Sequence, residues 1–325
     1  MKFSKFIVLT ALVVTAGGAA FAAYSYVGQW GSRGSGNGQF QDPMRAEIST
    51  ANGYLYVADS RNHRIQYFTP AGAYVGKWGS EGAGNGQFRE PTGVAVAPGG
   101  RVYVADRRNH RIQYFTQTGS FLGKWGTEGA GNGQFKQPRG VAVAPNRNIY
   151  VCDTDNHRLQ YFTASGSFLG AWGGGGTGNG QFNKPRELAV NSTGRVYVAD
   201  ADNNRVQYFN PSGSFLGTWG GGGTGNGQFD RPHALDVART SGYVFVVDTR
   251  NERIQYFNGS GSFLGKWGSR GAGQGQFNDP RGLGVTSDGS YVYVVDKGNR
   301  RVQYFRSSSV AVAPASLGRV KALFK

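Results

Sequence analysis

The chain has 325 residues, 54 of them glycine, with a single cysteine and a formal net charge of +16. One cysteine excludes an intrachain disulfide framework, so the fold must rest on its packed core. The positive charge favours acidic partners and works against basic ones.

The first segment opens Met1-Lys2-Phe3-Ser4-Lys5 and then runs from Phe6 to Ala22 without a charge. Ala20-Phe21-Ala22 fits the small-x-small rule of signal peptidase, so residues 1–22 are expected to be a signal peptide, with Ala23 as the new N-terminus. The chain is thus expected to be secreted or held in the cell envelope. The uncharged run of 17 residues is marginal for a membrane span, and an uncleaved anchor is the second reading. Cleavage leaves no membrane span and removes Lys2 and Lys5, bringing the net charge to +14 (33 basic minus 19 acidic).

From Tyr24 onward one block of about 47 residues repeats. Trp30, Trp78, Trp125, Trp172, Trp219 and Trp267 are spaced by 48, 47, 47, 47 and 48 residues, a period at which each unit buries its apolar face against a neighbour. In the third copy four short runs rich in β-branched and aromatic residues follow one another: Val141 to Val143, Asn148 to Asp153, Asn156 to Phe162, and Ser167 to Trp172. Gly, Asn, Ser and Pro separate them, as expected of consecutive strands joined by tight turns. Six units of four strands predict an all-β, six-bladed β-propeller over residues 23–305. The last copy lacks its fourth strand after Phe305, and the matching segment, Tyr24 to Trp30, stands at the other end. The N-terminal strand is therefore expected to complete the last blade and close the ring. Residues 306–325 form a basic tail, read as disordered or a short helix.

The repeated core resembles the NHL-repeat family. Its Val-Asp-x-x-Asn-x-Arg-Ile-Gln-x-Phe spelling is seen in Val104-Ala105-Asp106 with Asn109 to Phe115, and in Val246-Val247-Asp248 with Asn251 to Phe257. The resemblance spans nearly all of residues 24–305. It implies a six-bladed propeller but no single function, since such propellers serve as enzymes, RNA binders and protein-binding domains. Six-bladed relatives also include zinc-dependent amidating lyases and calcium-dependent lactonases, whose ligands line the central channel.

Residues present in every copy are expected to build the repeat. Asp59, Asp106, Asp153, Asp200, Asp248 and Asp296 recur in register with Arg64, Arg111, Arg158, Arg205, Arg253 and Arg301, six pairs that hold a turn and cancel in charge. The tryptophans and the Tyr-Phe pairs read as interblade core rather than as a base-stacking platform. Cys152 replaces Ala or Val in a strand and reads as a small buried hydrophobe. Glycine-rich runs such as Gly173 to Gly178 read as connecting loops, with no helix after them to hold a phosphate. His63, His110 and His157 occupy one position on three consecutive copies, an arc too spread for one zinc ion. Asn191-Ser192-Thr193 and Asn258-Gly259-Ser260 are glycosylation sequons.

The informative residues are those where one copy departs from the rest. In the innermost strand, Arg45, Glu47, Glu187, His233 and Asp236 stand at or beside positions that are usually Gly or Ala. Buried charge of this kind needs partners or water. The two readings are an internal channel salt-bridge set and a ligand or cation site at the channel mouth. The turn before the third strand gains Arg61 in copy one, Arg107 and Arg108 in copy two, and Lys297 and Arg300 in copy six. These copies are neighbours in a closed ring. Being extra to the repeated Asp/Arg pairs, the five cations are expected to form a free basic arc on one face.

The functional expectation is a monomeric, exported, non-enzymatic scaffold that needs no cofactor and no metal. It would hold a protein or an anionic polymer at the cell surface on one face of the propeller. Nucleic acid is the less favoured partner for an exported chain. The alternative is a metal-dependent lyase or lactonase with its site in the channel, formed by Glu47, Glu187, Asp236 and His233.

Overall fold

The computed structural model describes residues 23–308; the expected signal peptide and residues 309–325 of the expected tail lie outside them, while Arg306 and Ser307, placed in that tail by sequence, extend the last strand and pair with Ser25 and Tyr24. Within that span the chain forms six four-stranded antiparallel sheets set in a ring, the predicted six-bladed propeller. The innermost strands are Pro43–Ile48, Pro91–Val96, Pro138–Val143, Pro185–Val190, Pro232–Val237 and Pro280–Val285. Each packs against the next around the axis, and the sixth returns to the first.

Blade six is completed by Tyr24–Trp30, which pairs antiparallel with Arg301–Ser307, matching Tyr26 to Phe305 and Trp30 to Val302. Tyr24 stacks on Trp267 of blade five (centroids 4.8 Å apart) and donates through its hydroxyl to the Gly289 carbonyl at 2.7 Å. Trp30 lies against Phe68 of blade one, and against Tyr293 and Tyr304 of blade six. One strand thus joins the two ends of the chain and seals three blades. A closed ring has no first or last sheet for another chain to extend at that seam.

Blade packing explains the repeated aromatics. Trp125 of blade two sits among Tyr103 and Tyr114 of its own sheet and Phe162 of blade three. The glycine after each tryptophan is obligatory: Gly126 has φ +101, and a Cβ there would lie 2.5 Å from the Phe135 ring. Cys152 is fully buried within the cluster between blades three and four.

The repeated polar residues form one network per blade. In blade three, Asp153 accepts from Arg158 Nε at 2.8 Å, Asn156 Nδ2 at 2.9 Å, Gln160 Nε2 at 3.1 Å and the Lys136 amide at 2.7 Å. Arg158 continues to the carbonyls of Gly131 and Gln134, fixing the glycine-rich loop over the strand ends. Each of the six Asp/Arg pairs closes at 2.7–2.8 Å. The spelling of the repeat is the wiring of this buried carboxylate, which needs every donor it has.

The histidines have a structural task as well. Each is the left-handed residue that ends a 3-10 turn, with φ 52, 53 and 55 for His63, His110 and His157. Their Nδ1 atoms accept the amides of Glu90, Gln137 and Lys184 on the following blade. Asn204 and Glu252 do the same for Arg231 and Asp279. The position therefore selects an acceptor that tolerates positive φ, and blade six departs by placing Arg300 there. In both sequons the asparagine side chain caps its own turn: Asn191 accepts from Thr193 and Arg195, Asn258 from Ser260 and Ser262.

Candidate functional site

The axis of the ring is where the copies differ most, and its residues fall in layers. The residue after each repeated proline heads the inner strand and faces the axis at the turn-side mouth: Met44, Thr92, Arg139, Arg186, His233 and Arg281. Above them opens a funnel of about 280 Å³, walled by Arg61, Arg107, Arg108 and Lys297 on three adjacent blades, with Arg139, Arg186 and Arg281 at its base.

The expected basic arc is thus brought together, but two features of the expectation need correction. Its cations are not free. Arg61 pairs with Asp42 at 2.8 Å, Arg107 and Arg108 with Glu90 at 3.1 and 2.7 Å, and Lys297 with Asp279 at 3.0 Å. The acids all immediately precede the repeated proline, so a blade that gains a base in its turn also carries an acid beside it. Arg300 is no part of the funnel wall. It occupies the blade-six cap position, at φ 53, where other blades hold an acceptor. Arg61 and Arg108 remain the exposed members, with 65% and 55% of their side chains accessible.

One layer deeper, Arg45 lies across the axis with 4% of its side chain exposed. Its guanidinium donates to the carbonyls of Leu283 and Leu235 and to Glu47 at 3.1 Å, and lies 3.7 Å from Glu187 and 3.9 Å from Asp236. Asp236 also accepts the amides of Val237 and Val285. The four charged departures of the inner strands therefore form one buried cluster, with a guanidinium at its centre where a channel-enzyme reading would put a divalent ion. His233 stands apart in the layer above, on the arginine side.

Steric room explains why such residues are rare in this strand. A Cβ at Gly93 would run into the Arg139 carbonyl, and one at Gly140 would lie 2.9 Å from the Arg186 carbonyl and 2.6 Å from Glu187 Oε1. The inner strands nearly touch, so the few long side chains admitted there fill the channel between two mouths. The opposite mouth is lined by Glu47, Asp236 and Arg239 among small and apolar residues.

Electrostatics follow from burial. Desolvation pushes Glu47 up to about 8, reinforced by the Asp236 charge and opposed by Arg45 and Arg239. Desolvation likewise raises Glu187 to about 7, again against Arg45. Burial works against the charge of Arg45, but Glu187, Asp236 and Glu47 outweigh it and raise its pKa. Carboxyls raised in the fold bind protons more tightly than in the unfolded chain. Their stabilisation is complete below the unfolded value near 4.5 and is lost as pH rises through about 7 and 8. Between pH 6 and 8.5 these two groups are expected to withdraw roughly 2–4 kcal/mol of folding stability. Glu47→Gln should remove more than half of that slope. Denaturant titrations of both proteins at the two pH values measure it, and identical slopes would refute the assignment.

The base of the funnel is a feature that sequence reading passed over. Arg139 and Arg186 form no ion pair and no side-chain hydrogen bond among the described residues, and their Nε atoms are buried without a partner, as is His233 Nε2. Arg281 has Asp279 at 2.6 Å. Burial lowers Arg186 to about 10, with Arg231 and Arg281 adding repulsion; Asp202 and Asp155 oppose the shift. Arg139 is lowered well below its ordinary value by burial, then by Arg186 and Arg107. His233 is held neutral by burial, with repulsion from Arg281, Arg186 and Arg139 in support.

The NHL repeat profile matches the chain at residues 88–115, 135–162 and 182–209, three successive copies of the same core. Among solved structures, a protein of unknown function from Bacteroides thetaiotaomicron superposes with TM-score 0.65 at 15% identity, covering 88% of this chain and 76% of that one. The gluconolactonase XC5397 of Xanthomonas campestris superposes with TM-score 0.63 at 14% identity, over 83% and 88%. Virginiamycin B lyase of Staphylococcus aureus gives TM-score 0.56 at 13% identity, over 82% and 95%. Likeness at this identity establishes the propeller and nothing of the chemistry. No curated protein matches the sequence.

Proposed function

We propose, from the premise that this chain is a six-bladed propeller of NHL repeats, that it is an exported, non-enzymatic scaffold holding an acidic macromolecule on its turn-side face. One observation carries the reading. Seven cationic side chains line the funnel at the centre of that face, Arg61, Arg107, Arg108, Arg139, Arg186, Arg281 and Lys297, against three carboxylates, Asp42 and Glu90 on its wall and Asp279 paired with Arg281 and Lys297. Local pairing lowers the net charge but leaves it positive, and a concave wall concentrates its field. The partner class is a protein or anionic polymer of the cell surface, with export resting on the sequence of residues 1–22. The lyase or lactonase alternative is disfavoured because the Arg45 guanidinium occupies the place among the channel carboxylates that a divalent ion would need.

Polyanion binding tests the proposal. Arg61→Gln with Arg108→Gln removes the two exposed rim cations. Binding to sulfated polysaccharide or polyphosphate at low salt should weaken about tenfold, with a shallower salt dependence. Lys77→Gln with Lys124→Gln removes two exposed lysines from outer strands and the same charge, and should change binding less than twofold. Equal losses from the two double variants would mean that only net charge matters and that the face is no site.

A further inference from the structure

Buried like charges carry a cost that a protein normally avoids with a partner carboxylate. At the base of the funnel that partner is missing. Arg139 and Arg186 come from adjacent blades, head equivalent strands and face the same cavity with Arg281. Their neighbouring acids are engaged elsewhere or stand off: Asp202 pairs with Arg231 at 3.0 Å, and Asp155 forms no ion pair with either arginine among the described residues. Thr92 donates to the Arg139 carbonyl at 3.1 Å, fixing the strand that carries the guanidinium. Two unpaired arginines, a third paired with Asp279, and a buried ring nitrogen of His233 without a partner line one cavity on the axis.

We propose that Arg139, Arg186 and Arg281, at the base of the funnel, are a seat for one phosphate group of the bound partner. The proposal rests on the polyanion-binding reading of the face and narrows its ligand to a phosphate-bearing one. A phosphate monoester brings a charge of about −1.5 to −2 and three strong acceptor oxygens, enough to engage three forked donors arriving from different directions. A carboxylate brings a single charge and two oxygens in one plane, a poorer match to three guanidinium groups on different strands. The funnel above the seat has room for the group to which the phosphate is attached.

The test uses the full chain, with inorganic phosphate as probe and acetate at matched ionic strength as control, read by thermal melting and calorimetry. Phosphate should raise Tm saturably, by about 3 °C at ten times Kd, while acetate does not. Without phosphate, Arg186→Met should melt at or above the parent temperature, because it removes an uncompensated charge. Its phosphate midpoint should rise at least about tenfold. Arg61→Gln/Arg108→Gln should leave inorganic phosphate binding within about twofold and lose only the advantage of polyphosphate over phosphate, which separates a lone phosphate from a polymer as ligand. A parent protein indifferent to phosphate would overturn the seat, as would Arg186→Met melting several degrees lower with its phosphate response intact. Neither result bears on the rim, whose own variants decide whether the face binds polyanions.

Discussion

A chain lacking residues 23–30 is expected to lose cooperative folding, or to melt far below the intact protein. The deletion strips one whole strand from blade six and leaves Arg301–Ser307 as an unpaired edge. It also removes Tyr24, Tyr26 and Trp30, which pack on Trp267, Phe305 and Phe68. The three aromatics are half-buried, and even at about 1–2 kcal/mol each their loss, with that of a whole strand, is a large part of the stability of an ordinary domain. Adding a synthetic peptide of residues 23–30 should restore much of the transition by occupying the vacant edge. Circular dichroism melts with and without peptide provide the measurement. An unchanged melting temperature on deletion would show that the seam is not a structural joint.

Arg45→Met should be the most damaging single substitution on the axis. It leaves Glu47, Glu187 and Asp236 facing one another without their shared cation. Removing one partner of a buried ion pair costs about 3–5 kcal/mol. The effect should be largest above pH 8 and shrink below pH 6, where protonation relieves Glu47 and Glu187 without the arginine. Denaturant titration of the variant across that range checks both the size and its pH dependence. A loss under about 1 kcal/mol at pH 8 would mean that Arg45 does not hold the cluster together.

The fold was legible because the repeat writes every strand six times, and because the one copy short of a strand has its missing piece at the opposite terminus. The charged cluster was legible for a related reason. Arg45, Glu47, Glu187 and Asp236 depart from Gly or Ala in a strand where neighbouring backbones leave almost no room, so each departure had to be compensated by another. The arginine seat escaped notice on the same logic. Arg139, Arg186 and Arg281 share one position, so they look like part of the pattern, while Thr92 and Met44 look like the exceptions. Spacing in one dimension does not show that residues 47 apart converge on an axis. Arg107 and Arg108 were misread as free because their partner, Glu90, lies before the proline, outside the turn being compared. The joint gain of a base and an upstream acid in copies one, two and six was the available signal.

The seam that joins the two ends also imposes an order in time. Ribosomes deliver residue 24 long before residue 307, its partner across the sheet. At about 5–20 residues per second the interval is roughly 15–60 s. Throughout it, a strand carrying Tyr24, Tyr26 and Trp30 has nothing to pair with, while blades one to five can already stack on one another. The ring cannot close before Arg301–Ser307 has been made, so closure is the last pairing the chain can complete. Any factor that shields the N-terminal segment during that interval would also be setting when the molecule closes.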